Sequence, residues 1–494
     1  MRHWIALWLA CALCLLPWTA LTEGQAEAVE TEERNMTLAE MNITPLKSLK
    51  KPGEGNPLFT QRFGADPGAM VYGGRVYVYL TDDAIEYDAA GEVKENSYSQ
   101  IRSITCLSSA DLVNWTDHGQ IPVAGPRGIA RWATNSWAPC AAHKVIDGKE
   151  KFFLYFCNGG NGIGVLAADS PTGPWRDELG HLLITRSTPN CAGVVWLFDP
   201  AVMVDEDGTG YLAFGGGVPK GKDEAPGTGR IVRLGDDMLS LDGVPVTLDV
   251  PWLFEDSGLN RVGDRYVYSY CSNWNTAGNP LLLTSGAIQY MTAEDPLGPY
   301  TYGGELFPNQ GRFFGLYGNN HHSLVEFEGQ WYLFYHSRPV EKAMGITGNY
   351  RSPQVDCIEL GGGSRVFRSV RGTMKGVPQL RPLDARQRTE AGCMADQAGI
   401  RVTGCGPDAR VETVPGSWIR VAGADFGEGT AALTVEAAGT GRVYVLADSL
   451  TGPVAAWGDL SEAGTLTLPL ALSGVHDLYF LFDGGAVFTA WQAR

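Results

Sequence analysis

The chain has 494 residues, enough for two or three domains, and carries 55 acidic against 38 basic side chains for a net charge of −17 at pH 7. A uniformly acidic protein repels phosphate backbones, which excludes nucleic acid as a partner and suits a neutral ligand. Beyond the N-terminal apolar run no stretch is long and apolar enough to span a bilayer, so no stable membrane association is expected.

The chain opens with Arg2 and His3, an apolar run over 5–21, and an acidic stretch with Ala26 and Ala28 in A-x-A spacing. This pattern predicts a signal peptide over 1–28 and bacterial export to the outside of the cell, with an uncleaved membrane anchor as the alternative. Residues 29–56 have Glu and Lys clusters and few apolar anchors, and read as an exposed lead-in or linker.

From residue 57 to about 380 a β-type unit recurs five times: a short apolar strand, a turn, then an aromatic-rich strand. Asp66-Pro67 leads into 69–72, Gly73-Gly74 and 76–80. Trp137-Ala138-Pro139 leads through Asp147-Gly148 to 152–156. Asp199-Pro200 leads into 201–204, Asp207-Gly208 and 211–214. Glu255 leads through Gly263-Asp264 to 266–270, and His321 leads into 324–327, Gly329 and 331–335. The turn dipeptides are hairpin chemistry, because Gly and Asp tolerate φ > 0. Segments 109–115, 169–175 and 295–300 also resemble one another and are expected as outer-strand turns. The spacing predicts a five-bladed β-propeller whose innermost strands bring the five anchors to one mouth.

After about 385 aromatics thin out, and strand-like runs continue at 419–421, 432–436, 442–446, 465–472 and 477–482. They predict a second all-β domain over 386–494, a jelly-roll-like sandwich. Eight cysteines lie beyond the leader with no C-x-x-C pair, which argues against zinc; Cys393 and Cys405 are near enough in sequence to be bridged.

Two carboxyl groups in opposite protonation states suffice to hydrolyse a glycosidic bond, and a third raises the acid's pKa by like-charge repulsion. Asp66, Asp199 and Glu255 are the candidates. For any single Asp-Pro the ordinary alternative is a turn residue, and Asp256 competes with Glu255 for the acid, although strand alternation is expected to turn it away from the channel. Of His321 and His322 at most one faces the axis, as a core histidine or as a ligand to a hydrated cation. Trp137 and Phe198 are candidates for stacking on a sugar, with propeller core as the alternative for each. Arg351 is a candidate for bonding its hydroxyls, with a surface role as the alternative.

At these residues the chain resembles glycoside hydrolase family 43. The resemblance implies a five-bladed propeller with Asp66 as general base, Asp199 as pKa modulator, Glu255 as general acid, and His321 holding a structural calcium ion in the channel, with no organic cofactor. Trp137-Ala138-Pro139 and the segment 111–115 also match; Asn320 stands where the family segment has Gly. The order of propeller and second β domain resembles arabinoxylan-debranching enzymes, whose appended module belongs to carbohydrate-binding family 6. Segments 390–391, 425–427 and 474–479 match that module, and the tryptophan-poor loop 455–466 and the ending 488–491 depart from it. The implied function is an inverting exo-glycoside hydrolase that releases pentoses from a plant cell-wall polysaccharide, an α-L-arabinofuranosidase on arabinoxylan, acting as a monomer. The alternatives are a β-xylosidase, a non-catalytic carbohydrate-binding propeller, and an invertase-like retaining enzyme.

Overall fold

The computed structural model describes residues 36–362 and 366–494. The leader, its cleavage site and residues 29–35 lie outside the described residues. No helix among the described residues is long and apolar enough to cross a membrane.

Five antiparallel sheets follow one another along the chain. The first holds β1 (Ala65–Tyr72), β2 (Arg75–Thr81), β3 (Ser103–Ser109) and β4 (Trp115–Pro122). The second holds β5 (Trp137–Ile146), β6 (Lys149–Cys157) and β7 (Ile163–Ala168). The third holds β8 (Ala201–Val204), β9 (Gly210–Gly215), β10 (Gly229–Arg233) and β11 (Val246–Leu248). The fourth holds β12 (Leu253–Val262), β13 (Arg265–Ser272), β14 (Ile288–Ala293) and β15 (Thr301–Phe307). The fifth holds β16 (His322–Phe327), β17 (Gln330–Ser337) and β18 (Ser352–Ile358). The hairpin between β1 and β2 turns through Gly73 and Gly74 at φ +56° and +71°, which glycine adopts without a Cβ clash.

Each sheet's first strand touches the first strand of the next, β1 to β5 to β8 to β12 to β16, and β16 returns to β1. Packing between the sheets explains the closure. Alternation along each strand gives every blade two apolar faces, and each face shares a core with its neighbour. Leu154 and Phe156 of the second sheet meet Tyr79 and Ile104 of the first, and Phe334 and Tyr332 of the fifth meet Val76, Val78 and Trp115 of the first. The expected five-bladed propeller is therefore a closed ring, with the β1, β5, β8, β12 and β16 ends around its axis.

The second domain is a sandwich of two six-stranded sheets. One contains Trp418–Asp425, Val475–Phe482, Arg442–Ala447 and Val454–Asp459, and the other Ala486–Ala493, Thr430–Gly439 and Leu466–Leu472. Its core includes Trp491, fully buried against Phe480 and Phe488. The sandwich is locked to the propeller. Its strand Cys393–Met394 pairs with Thr116 and Trp115 as a fifth strand of the first blade, and Asn114 exchanges hydrogen bonds with both backbone groups of Ala422.

Two expectations are corrected here. Residues 36–56 are not an exposed linker. Leu38 is buried against Tyr444 and Val454, Trp418 donates its Nε1–H to the Leu46 carbonyl at 2.7 Å, and Lys50 Nζ is buried between the Gly55 and Ala395 carbonyls. The few apolar residues of the lead-in suffice, because the outer face of the sandwich supplies the aromatic partners. Cys393 and Cys405 are not bridged, and all eight cysteines among the described residues are free; these two pair instead with separate points of β4, at Thr116 and Gly119.

Candidate active site

The first strands do not run regularly into the axis. The pairing of β1 with β2 skips between Ala65 and Gly68, that of β5 with β6 between Trp137 and Cys140, and that of β12 with β13 between Glu255 and Gly258. Just inside each irregularity one residue takes a left-handed backbone: Asp66 at φ +49°, Ala138 at +40° and Asp256 at +68°; Asp199 has the same +49° just before β8. Such a bulge re-aims side chains. It sends this residue's side chain to the floor of the channel and leaves the residue before it on the wall.

The repeat therefore aligns differently from the sequence reading. Asp66, Asp199 and Asp256 are equivalent, and Glu255 aligns with Ala65, Trp137 and Phe198. Asp256 stays off the cavity as expected, but not by alternation, which the bulge breaks: its side chain goes beneath the cavity, next to His321.

Asp66 is buried, with one side-chain donor on each carboxylate oxygen. Arg351 Nη1 lies 2.7 Å from Oδ1, Thr81 donates its hydroxyl to Oδ2 at 2.7 Å, and the Asp66 N–H donates to His336 Nδ1. Burial alone would raise its pKa, but the Arg351 charge, with His321 and His336, outweighs that and holds it at about 2. Asp199 has no cation bonded to it. It accepts the Asp256 N–H at 2.8 Å, its own N–H donates to Cys157 Sγ, and burial pushes its carboxyl up to about 6. Glu255 has its Oε1 closed off from solvent and without a hydrogen-bond partner. Burial, then the charges of Asp199 and Asp66, push this carboxyl well above its ordinary value. A permanently ionised carboxylate and a carboxyl that resists ionisation thus face one cavity, the pairing that general base and acid chemistry needs.

Beneath them Asp256 is completely buried. It accepts from His322 Nδ1 at 2.5 Å and lies 3.2 Å from His321 Nε2, and burial raises its pKa to about 7. His322 points down and reaches Ser269 Oγ with its other nitrogen. His321 points up, with Nδ1 3.8 Å from Asp66 and 3.9 Å from Asp199. As alternation required, only one of the two histidines meets the cavity.

That cavity, about 410 Å³, is lined by Asp66, Asp199, Glu255, Trp137, Phe198, His321 and Arg351, so these seven candidates converge on it, whereas the competing Asp256 and His322 lie beneath it. It also contains Tyr98, Trp196, Phe254 and Asn319, which the sequence reading did not single out. Trp196 is two residues before Phe198, and strand-like alternation was a usable signal for it. Tyr98 comes from a long irregular loop, for which no signal exists. Trp137 donates its Nε1–H to the Tyr98 carbonyl at 3.0 Å, and Trp196 packs edge-on to both Phe198 and Phe254 at 5.2 Å. The surface alternative for Arg351 is excluded: it is buried, ion-paired to Asp66 and Asp83, and stacked over Tyr98 at 5.2 Å.

Among the described residues no three His, Cys, Asp or Glu side chains converge to chelate a metal. Zinc, which takes three or four protein ligands, does not fit. A calcium ion with a water shell does. Four carboxyls, those of buried Asp66, Asp199 and Asp256 and of half-buried Glu255, crowd the axis against one guanidinium, which Asp83 shares, and their oxygens can accept hydrogen bonds from coordinated water.

The sequence profile of glycosyl hydrolases family 43 matches residues 55–360, the whole propeller. The chain belongs to that family. The family 43 chain is 44% identical over 477 residues to an arabinoxylan arabinofuranohydrolase of Paenibacillus polymyxa, covering 90% of this chain and 75% of that protein. It is 43% identical to one of Bacillus subtilis, covering 90% and 93%. A crystal structure of a family 43 arabinoxylan arabinofuranohydrolase from Bacillus subtilis, in complex with cellotetraose, superposes with TM-score 0.87 at 41% identity over 91% of this chain and 99% of that one. This family 43 member is thus a glycoside hydrolase whose similarity to known enzymes extends through the sandwich as well as the propeller.

Proposed function

We propose that this enzyme is an inverting exo-α-L-arabinofuranosidase that removes arabinofuranose side groups from arabinoxylan. The observation that carries the reading is the opposite charge preference of Asp66 and Glu255 across one aromatic-walled cavity. Asp66, ionised, takes a proton from a water as its oxygen attacks C1 of the sugar. Glu255, protonated, gives its proton to the glycosidic oxygen as the C1–O bond breaks. Each such transfer contributes about 10²–10⁴-fold. Asp199 adds a like charge that keeps Glu255 protonated, and its carboxylate is steadied by the Asp256 N–H. Trp137 and Phe198 supply apolar surface for the sugar ring, and Arg351 fixes the base.

His321 would be the protein's direct ligand to a calcium ion. When bound, the ion supplies positive charge that offsets crowded carboxylates, and no step runs through it. The related enzymes named for arabinoxylan support a neutral plant cell-wall polysaccharide as substrate, reached by export under the leader read from the sequence. The protein is taken to act as a monomer.

The test is a screen of purified protein against nitrophenyl α-L-arabinofuranoside, nitrophenyl β-D-xyloside and arabinoxylan. Release of arabinose from the first and third supports the reading. Preference for the xyloside makes it a β-xylosidase, and silence on all three makes the propeller a binding protein.

A further inference from the structure

Asp83 lies two residues past the end of β2 and belongs to the wall between two cavities. Its carboxylate faces the active site through Arg351, and the residue also borders a second cavity of about 680 Å³, formed with Arg62, Asp82, Met344 and the Gln397 turn of the sandwich. The Asp83 side chain is completely shielded from solvent. It takes the Arg351 fork from one edge: Nε to Oδ2 at 2.8 Å, Nη2 to Oδ1 at 2.7 Å, and the Arg351 N–H to Oδ2 at 3.1 Å. One guanidinium nitrogen, Nη1, is left to meet Asp66, at Oδ1 and 2.7 Å. Asp66 Oδ2 is held separately by Thr81, whose hydroxyl oxygen accepts the Ala138 N–H.

We propose that Asp83 is a positioning residue for the hydrolysis, acting through Arg351 on Asp66; this rests on the reading of Asp66 as the base. A guanidinium has a rigid planar fork that prefers two parallel bonds to a carboxylate. Left without Asp83, Arg351 turns that fork onto both oxygens of Asp66. The base then loses the lone pair that must face the attacking water and is drawn out of line with C1. With Asp83 in place, the two-bond grip is spent on Asp83, and Arg351 reaches Asp66 at Oδ1 alone, leaving Oδ2 to Thr81. A base misplaced by about 1 Å loses on the order of 100-fold in rate while ground-state binding of the sugar persists.

The experiment compares wild type, Asp83→Asn, Arg351→Met and the double variant on nitrophenyl α-L-arabinofuranoside. Thermal unfolding of each reports folding. The expected result is a roughly 30- to 100-fold fall in kcat for Asp83→Asn with KM within about twofold. The double variant should be no slower than Arg351→Met alone, because Asp83 has no route to the reaction except through Arg351. If Asp83→Asn does not fold, Asp83→Ala is assayed with and without sodium formate, and the expected result is restored kcat as formate replaces the missing carboxylate. A wild-type kcat in Asp83→Asn, additive losses in the double variant, no response to formate, or loss of folded protein in both Asp83 variants overturns the proposal. An inactive wild type instead overturns the functional reading itself, so the two failures are distinct.

Discussion

Asp256 holds in the fourth blade the place that Asp66 holds in the first: both follow the wall residue, and both have a left-handed backbone at the strand bulge. The two floor aspartates differ in their neighbours. Asp66 meets a guanidinium besides the imidazoles of His321 and His336, whereas Asp256 meets two imidazoles and no guanidinium. The carboxyl that lines the cavity is the wall residue beside it, Glu255.

Glu255→Gln removes the proton donor and leaves the wall intact. Hydrolysis of arabinoxylan, whose leaving oxygen needs protonation, should fall by about 10³-fold or more. Nitrophenyl arabinofuranoside, with a good leaving group, should lose far less. Steady-state kinetics on both substrates checks this. Equal losses on the two would remove Glu255 from the acid role.

The proposed mechanism requires Asp66 ionised and Glu255 neutral. Asp66, held at about 2, stays ionised through the ordinary carboxyl range, so the acid limb of kcat/KM should lie below pH 4 for as long as the protein stays folded. Glu255 is raised by burial first and by Asp199 second, so the alkaline limb lies above the ordinary glutamate value. Asp199→Asn removes that like charge and should move the alkaline limb to lower pH, readable in the pH profile of the variant.

The same substitution should stabilise the fold. The Asp199 carboxyl is raised to about 6 by burial, so its ionisation costs nothing below its ordinary value near 3.8 and costs the most above 6. At pH 7 Asp199→Asn should relieve on the order of 2–3 kcal/mol and raise Tm by a few degrees. At pH 3.5 the two Tm values should coincide. Calorimetry at both pH values measures the trade between stability and activity.

Calcium at His321 would offset the same crowded charge. Chelator should lower Tm, and added calcium should restore it. His321→Ala should abolish the response to calcium. An unchanged Tm in chelator removes the ion from the account.

Much of this was legible in the sequence. The five repeats fixed the propeller because hairpin glycines and aromatic strands report local geometry. They also predicted that the five anchors Asp66, Trp137, Asp199, Glu255 and His321 meet at one mouth, and all five line the cavity. What failed depended on partners distant in the chain. The bulge that swaps Glu255 and Asp256 between wall and floor has no signature of its own in one strand. Arg351 could not be told from a surface arginine without Asp83, 268 positions away. The lead-in looked exposed because its few apolar residues, Leu38, Met41 and Ile43, bury themselves against Trp418, Tyr444 and Trp457 of the far domain.

The central claim is that Asp66 activates a water and Glu255 protonates the leaving oxygen in a single displacement. Following hydrolysis of nitrophenyl α-L-arabinofuranoside by proton NMR from the first seconds tests it. β-L-arabinofuranose should appear first and then mutarotate. α-L-arabinofuranose as the first product would mean a covalent intermediate and would contradict the account.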